Sequence, residues 1–223
     1  MKQIMSIESK PDFDPIAAGW YSFRHYTIFR TELAKLAERW NSGRLLNAGS
    51  GHGADFLLFK GVFELHGIDI SSEMLKYAIK YASKHKFQAE LKQADMRALP
   101  YPDQYFDHVI AIASLHHIKD NDEQLKALLE IKRVLKPEAE LFLTVWNAGQ
   151  RRFWFTRRDT FIPWRSGKEI VQRYYHLFTY SEIEKLVRVA GFTIISSQPE
   201  SRYRWPIKYF SQNICLLLKN SSF

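Results

Sequence analysis

With 223 residues, 46% of them hydrophobic and 15% aromatic, the chain can build one sizeable core and is too apolar for an intrinsically disordered segment. No apolar run approaches the roughly 20 residues of a membrane-spanning helix, and the single cysteine, Cys215, excludes an internal disulfide and a cysteine-built zinc site. A net charge of +8 favours polyanions, so nucleic acid is the first partner to consider.

In chain order, residues 1–40 read as an N-terminal helical cap ending in an amphipathic helix from Phe29 to Trp40. Arg44–Ala48 reads as the first strand, running into a glycine-rich turn, Gly49-Ser50-Gly51-His52-Gly53, and then a helix. Phe63–Asp69 is the second strand, and Ser71-Ser72-Glu73 opens a helix through Met74, Leu75, Ala78 and Ile79. Phe87–Gln93 alternates as a half-buried third strand. The continuous apolar run His108–Ala113 predicts a central strand covered on both faces. A helix is expected over Asp122–Leu135, with Leu125, Leu128, Leu129, Ile131 and Leu135 on one stripe and Pro137 beyond it. Leu141–Trp146 follows as a strand. Residues 147–179 form an aromatic, arginine-rich insertion without a clean period, a length of loop that usually carries function. A helix from Ser181, closed by Gly191, and two late strands, Phe192–Ser196 and Ile214–Lys219, complete the pattern. Strands alternating with helices predict an α/β domain over 1–223, mainly parallel, with helices on both faces.

Glycines at 49, 51 and 53 let the backbone turn sharply and let a ligand approach. About twenty residues on, Asp69 ends the second strand, where a carboxylate can accept from a ribose diol. Gly49-Ser50-Gly51-His52-Gly53-Ala54 also fits the looser dinucleotide fingerprint, so a nicotinamide cofactor is an alternative. The residues that follow favour S-adenosylmethionine (SAM). Asp95-Met96 ends the third strand with a second acid suited to an adenine amino group, and Ala113 ends the fourth strand facing the reacting centre. SAM has no pyrophosphate for cationic groups to hold.

Over Leu33 to Lys219 the chain resembles the class I SAM-dependent methyltransferases, a Rossmann-like fold with an antiparallel last strand. Asp69, Asp95, Leu99-Pro100 and Phe106-Asp107 fall in that family's order. The resemblance implies Gly49, Ser50, Gly51 and Gly53 as the cofactor turn. It implies Asp69 as ribose ligand, Ile70 against the adenine ring, and Asp95, Met96 and Ala113 around it. The chain departs from the family at Asn47, usually an acid, and at Pro137-Glu138-Ala139, usually Pro-Gly-Gly.

A narrower resemblance rests on Ser114-Leu115-His116-His117, Trp146 to Gln150, Asp159 to Trp164 and Arg173-Tyr174-Tyr175-His176. These look like the tRNA methyltransferases that esterify the carboxymethyl group on the wobble uridine, although Asn147-Ala148-Gly149 differs from the usual residues before Gln150. An ionised carboxylate needs no general base, only a cationic or donor-rich cradle. Arg24, His116 and His176 are the candidate catalytic residues and Arg173 a further cradle cation, with Arg24 as bidentate clamp. Trp146, Trp164, Tyr174 and Tyr175 are candidates to stack an extruded base. Arg151, Arg152, Arg157, Arg158 and Arg165, interleaved with Phe153, Trp154 and Phe155, are candidates for RNA phosphates.

The alternatives are a small-molecule methyltransferase, acting on quinone precursors or fatty acids, and a noncatalytic RNA-binding protein on the same fold. The narrower resemblance implies a small zinc-binding activator protein, with the Phe87–Gln93 edge as its docking candidate. No metal site is expected in this chain. The N-terminal stretch Met1–Ser6 lacks the apolar centre of a secretion signal, so the expected location is cytoplasmic.

Overall fold

The computed structural model describes residues 13–166 and 169–221; Met1–Ser6 and the rest of the first twelve residues of the expected cap lie outside them. Seven strands form one sheet: β1 (Gly43–Ala48), β2 (Phe63–Asp69), β3 (Glu90–Gln93), β4 (Phe106–Ile112), β5 (Leu135–Trp146), β8 (Thr193–Pro199) and β9 (Asn213–Lys219). Their spatial order is β3-β2-β1-β4-β5-β9-β8, and β9 alone runs antiparallel to both its neighbours. The order reverses between β1 and β4, so the carboxyl ends of those strands flank the crevice where open α/β sheets take ligands.

Neighbouring residues on β1 show why both faces are covered. Leu46 belongs to a cluster with Val109, Leu143, Leu216, Leu128, Ile131 and Ile183, under α4 (Asn121–Val134) and α5 (Tyr180–Val189). Leu45 belongs to the opposite cluster with Leu33, Phe56, Phe59, Ile110 and Phe142, under α2 (Arg30–Trp40). Each such side chain removed from water contributes about 1.5–3 kcal/mol. Ser71 caps α3 (Ser72–His85) by accepting from the Met74 N–H at 3.0 Å, and Thr179 and Glu182 form a capping box on α5. Among the described residues no helix is long and apolar enough to cross a membrane.

Five expectations are corrected. No α-helix follows the glycine turn, only a 3-10 turn over Ala54–Leu58, whose period of three matches the burial of Phe56 and Phe59. The third strand starts at Glu90, because the Phe87 N–H closes the end of α3 by donating to the Ala82 carbonyl at 3.1 Å. In α4 the buried stripe is Gln124, Ala127, Leu128 and Ile131, while Leu129 is exposed. The strand expected from Leu141 already starts at Leu135, so Pro137, which follows the end of α4 as expected, lies inside β5.

The fifth correction bears on function. The insertion is not irregular: β6 (Asp159–Ser166) pairs antiparallel with β7 (Glu169–His176), with Thr160 opposite Tyr175 and Ile162 opposite Arg173. Directly opposed residues share a face. Trp164 and Val171 pack with Ile16, Ala17 and Met74, so this face meets the short N-terminal helix α1 (Ala17–Phe23) and the start of α3.

Candidate active site

At the end of β1 the chain turns through Gly49, with φ +82°, where a Cβ would sit 2.5 Å from Ser114 Cβ. Around Gly51 nothing lies within 4 Å of the equivalent position, leaving that side open to a ligand. Asp69 fastens the turn to β2: Oδ2 accepts from the Gly51 N–H at 2.8 Å and Oδ1 from the Ser71 N–H at 2.9 Å. Burial raises the Asp69 carboxyl, and these hydrogen bonds pull it back toward the ionised form. Both amide atoms of Asn47, Ser50 Oγ and His52 Nε2 are buried here without a well-formed hydrogen bond. Such groups cost about 1–3 kcal/mol each unless a ligand or water meets them. An open glycine turn ringed by unsatisfied donors and acceptors fits the polar methionine part of SAM.

On the adenine side, Met96 is buried and reaches within 3.6 Å of the Gly49 Cβ position, and Ile70 is half-buried. Arg97 grips the Asp95 carboxylate, with Nη2–Oδ2 at 2.6 Å, and also pairs with Glu123. Asp95 therefore already serves Arg97, which was not anticipated. Ala113 holds φ +51° and shares its N–H between the carbonyl (3.2 Å) and hydroxyl (3.0 Å) of Thr144.

Ser114 Oγ donates to the Ala48 carbonyl at 3.0 Å, so the segment after β4 is tied to the glycine turn. Just beyond it, His116 and His117 pack against Tyr175, with ring centroids at 5.1 and 4.4 Å. Burial holds His116 well below the ordinary histidine range and pushes His117 down to about 4, so both are neutral at physiological pH. Trp146 stacks on Tyr175 at 4.3 Å.

Three guanidiniums act on this tyrosine, with Arg173 over its ring. Burial pushes the Tyr175 hydroxyl up, and Arg173, Arg152 and Arg24 each pull it back down. Arg173 is 8% exposed, lies over Tyr175 (5.2 Å) and Trp164 (5.1 Å), and has a buried Nε without a partner. Arg152 lies over Trp146 at 4.7 Å, and Arg24 over Trp20 at 5.0 Å with the Asp55 charge nearby. Among the described residues none of the three forms an ion pair. Arg173 is buried without a counter-ion, Arg24 is half-buried beside Asp55 and Arg152 is exposed; together they make a candidate anion site.

Other expected site residues lie elsewhere or are already engaged. His176 is taken out of the cradle: Nδ1 meets Asp159 at 2.9 Å and Nε2 meets Glu182 at 2.8 Å, which raises its pKa and makes it a brace between β6 and α5. Tyr174 faces the other side of the hairpin and bonds Asp159. Trp164 packs on Trp20 (5.4 Å) and Phe23 (5.6 Å), so its faces, like those of Tyr175, are used within the chain. Arg158 is tied to Glu182 at 2.7 Å, while Arg151, Arg157 and Arg165 are exposed. Asp55, beside Asn47 and Arg24, escaped the sequence reading, since an acid in the first turn after Gly53 looks like an ordinary helix-start residue.

Residues 46–143 match the family model described as a methyltransferase domain. The tRNA (carboxymethyluridine(34)-5-O)-methyltransferase of Arabidopsis thaliana is 36% identical over 157 residues, 66% of this chain and 37% of that protein. A mouse protein named probable tRNA methyltransferase 9B is 35% identical over 75 residues, 34% of this chain and 17% of that protein. The chain thus spans well under half the length of these two relatives. A SAM-dependent methyltransferase from Clostridium acetobutylicum superposes with TM-score 0.72 at 14% identity, covering 94% of this chain and 96% of that one. The methyltransferase complex containing the Haloferax volcanii Trm112 methyltransferase activator gives TM-score 0.70 at 18% identity, covering 95% and 97%. Together with the strand order and the glycine turn, these findings mean that residues 46–143 match a methyltransferase domain and that the chain has the fold of SAM-dependent methyltransferases.

Proposed function

We propose that this protein transfers the methyl group of SAM to a carboxylate on tRNA, the carboxymethyl group of a wobble uridine. The observation that carries this reading is the gathering of Arg173 over Tyr175 and Trp20, Arg152 over Trp146 and Arg24 over Trp20, one short segment away from the glycine turn. The Arabidopsis relative named for that reaction supports it.

When bound, SAM supplies an electrophilic methyl on a sulfonium. Asp69 and the Gly49–Gly53 backbone would hold it, with Ser50 Oγ and His52 Nε2 offering buried groups without a partner. The acceptor carboxylate, with a pKa of about 4, arrives ionised. Arg173 and Arg24 orient it without taking up a proton, so the chain's main work is alignment. Neutral His116 and His117, with Trp146 and Tyr175, exclude water from the approach and avoid neutralising the nucleophile.

The same reading includes a small activator protein, which the Haloferax volcanii complex supports, and we place it on the β3 edge. The edge is Glu90–Gln93, with Lys92 paired to Glu90 at 2.7 Å. The cytoplasm, where tRNA is modified and a lone cysteine stays reduced, is the proposed location.

The test is incubation of the purified chain, alone and with such an activator, with labelled SAM and tRNA bearing carboxymethyluridine, followed by mass analysis of the nucleosides. A methyl ester on that nucleoside is expected. Label appearing only on added small acids, and on no tRNA fraction, would overturn the proposal.

A further inference from the structure

The rings that the insertion contributes to the cleft are packed, yet the chain displays other aromatic side chains openly. Trp154, Phe155, Trp205 and Tyr209 are 54%, 102%, 71% and 58% exposed. They come from two segments, 147–158 and 201–212, which together hold six arginines and one lysine and no Asp or Glu. Exposed apolar rings in such density mark an interaction surface rather than a solvated face.

The two segments are built against each other. Asn147 Nδ2 donates to the carbonyls of Tyr209 and Ser211, each at 2.9 Å. A Cβ at Gly149 would lie 1.9 Å from the Tyr209 carbonyl oxygen, so no other residue fits there without moving the loop. Trp154 donates to the Gly149 carbonyl at 3.0 Å and its ring meets Phe210 at 5.9 Å. Asn147-Ala148-Gly149, the stretch that departs from the narrower family pattern, is thus the socket of the 202–210 loop. At the other end of that loop, Ser201 is anchored by its N–H on Glu32 at 2.5 Å, and Arg202 lies close enough to Arg24 for the two charges to repel. The loop therefore borders the anion site.

We propose that the 202–210 loop, with Trp154 and Phe155, is a single-stranded RNA platform that holds nucleotides flanking the reacting one. This rests on the reading of the substrate as RNA. Arg202, Arg204, Arg151 and Arg157 have no ion pair among the described residues and are free for phosphates. Trp205 and Phe155 offer uncovered ring faces, and every base has a face to stack on them. Charge complementarity selects a polyanion over an apolar protein surface.

The experiment is fluorescence anisotropy with a 17-nucleotide anticodon stem-loop lacking the carboxymethyl group, so that the anion site contributes nothing. Trp205→Ala should weaken binding about 5- to 100-fold, the range for one lost stacked base. Arg202→Ala with Arg204→Ala should lower the slope of log Kd against log salt by about 1.4, two phosphates' worth. SAM affinity and thermal midpoint should not change, since these side chains are exposed. Wild-type binding and slope in all variants would overturn the platform, and would leave the proposed function standing if tRNA is still esterified. Loss of an activator protein from the variants, with RNA binding intact, would also overturn it by making the face a protein interface. A wild-type chain that neither binds nor methylates RNA removes both readings.

Discussion

The backbone N–H of Trp146, at the end of β5, donates to Nδ1 of His116 at 3.2 Å. A ring that accepts at Nδ1 carries its proton on Nε2, and the site keeps that neutral form by burial, His116 being 1% exposed. His117 and His52, each pushed down to about 4, are likewise held neutral by burial, although His117 carries its proton on Nδ1 and donates it to the Tyr174 carbonyl at 2.9 Å. Their ordinary pKa is about 6.5, so the unfolded chain binds protons first as the medium is acidified. Stability is then full above pH 6.5 and falls between 6.5 and about 4, by up to about 1.4 kcal/mol per pH unit for each histidine. Urea denaturation at pH 7.5, 6 and 5 should show this slope, and His117→Asn should flatten it. An unchanged slope in the variant would mean that His117 is not held neutral.

Removing Arg173 or Arg24 from the anion site should separate acceptor binding from cofactor binding. Arg173→Met and Arg24→Met are expected to lower kcat/KM for the carboxylate acceptor about 100-fold, equivalent to about 2.7 kcal/mol. The SAM Kd from calorimetry should be unaffected. Arg173→Lys should recover only part of the loss, because an ammonium cannot grip a carboxylate in bidentate fashion. A parallel loss of SAM affinity would place Arg173 in the cofactor site instead.

What could be read from sequence followed from whether periodicity or partner decided the outcome. The continuous apolar run of β4 announced a doubly covered sheet and Ser71 announced a helix start, because each signal is local; the helix expected from Ser181 starts one residue earlier, at Tyr180, because Thr179 caps it. The hairpin of residues 159–176 was hidden because both its faces carry rings: Phe161 and Tyr174 point away from the cleft, Trp164 and Tyr175 toward it. Composition marked Tyr175 as a stacking platform, but His116, His117, Trp146 and Arg173 already cover its ring. His176 looked like a cradle residue until Asp159 and Glu182, 17 and 6 positions away, took both ring nitrogens. Arg24 and Arg173 were legible as cations, but the burial of Arg173 without a counter-ion and the approach of Asp55 to Arg24 are properties of the folded chain.

Asn47 stands where related domains usually have an acid, and its fully buried amide has the Asp55 carboxyl beside it. Burial already raises the Asp55 carboxyl, so a second carboxylate cannot ionise there freely. Asn47→Asp should therefore hold an extra proton in the folded state. An acid whose folded pKa is raised costs stability as pH rises above its unfolded value of about 4, by about 1.4 kcal/mol per unit until the folded pKa is reached. The variant should be close to wild type at pH 5 and clearly less stable at pH 8 by chemical denaturation. Equal stability at both pH values would show that Asp55 does not interact with position 47.

Glu138 occupies the place of the usual glycine after Pro137, and it adopts φ +66°. The left-handed region costs a residue with a Cβ about 1–2 kcal/mol, which glycine avoids. Glu138 offsets part of that cost through its ion pair with Lys219, although both side chains are well exposed and such pairs contribute at most about 1 kcal/mol. Two substitutions separate the terms. Glu138→Ala loses the pair and keeps the strain, whereas Glu138→Gly loses both, so the glycine variant should be about 1 kcal/mol more stable than the alanine variant. In thermal melts this is a gap of about 2–4 °C for a chain of this size. Identical midpoints would mean that the turn relaxes around a side chain at 138 without strain.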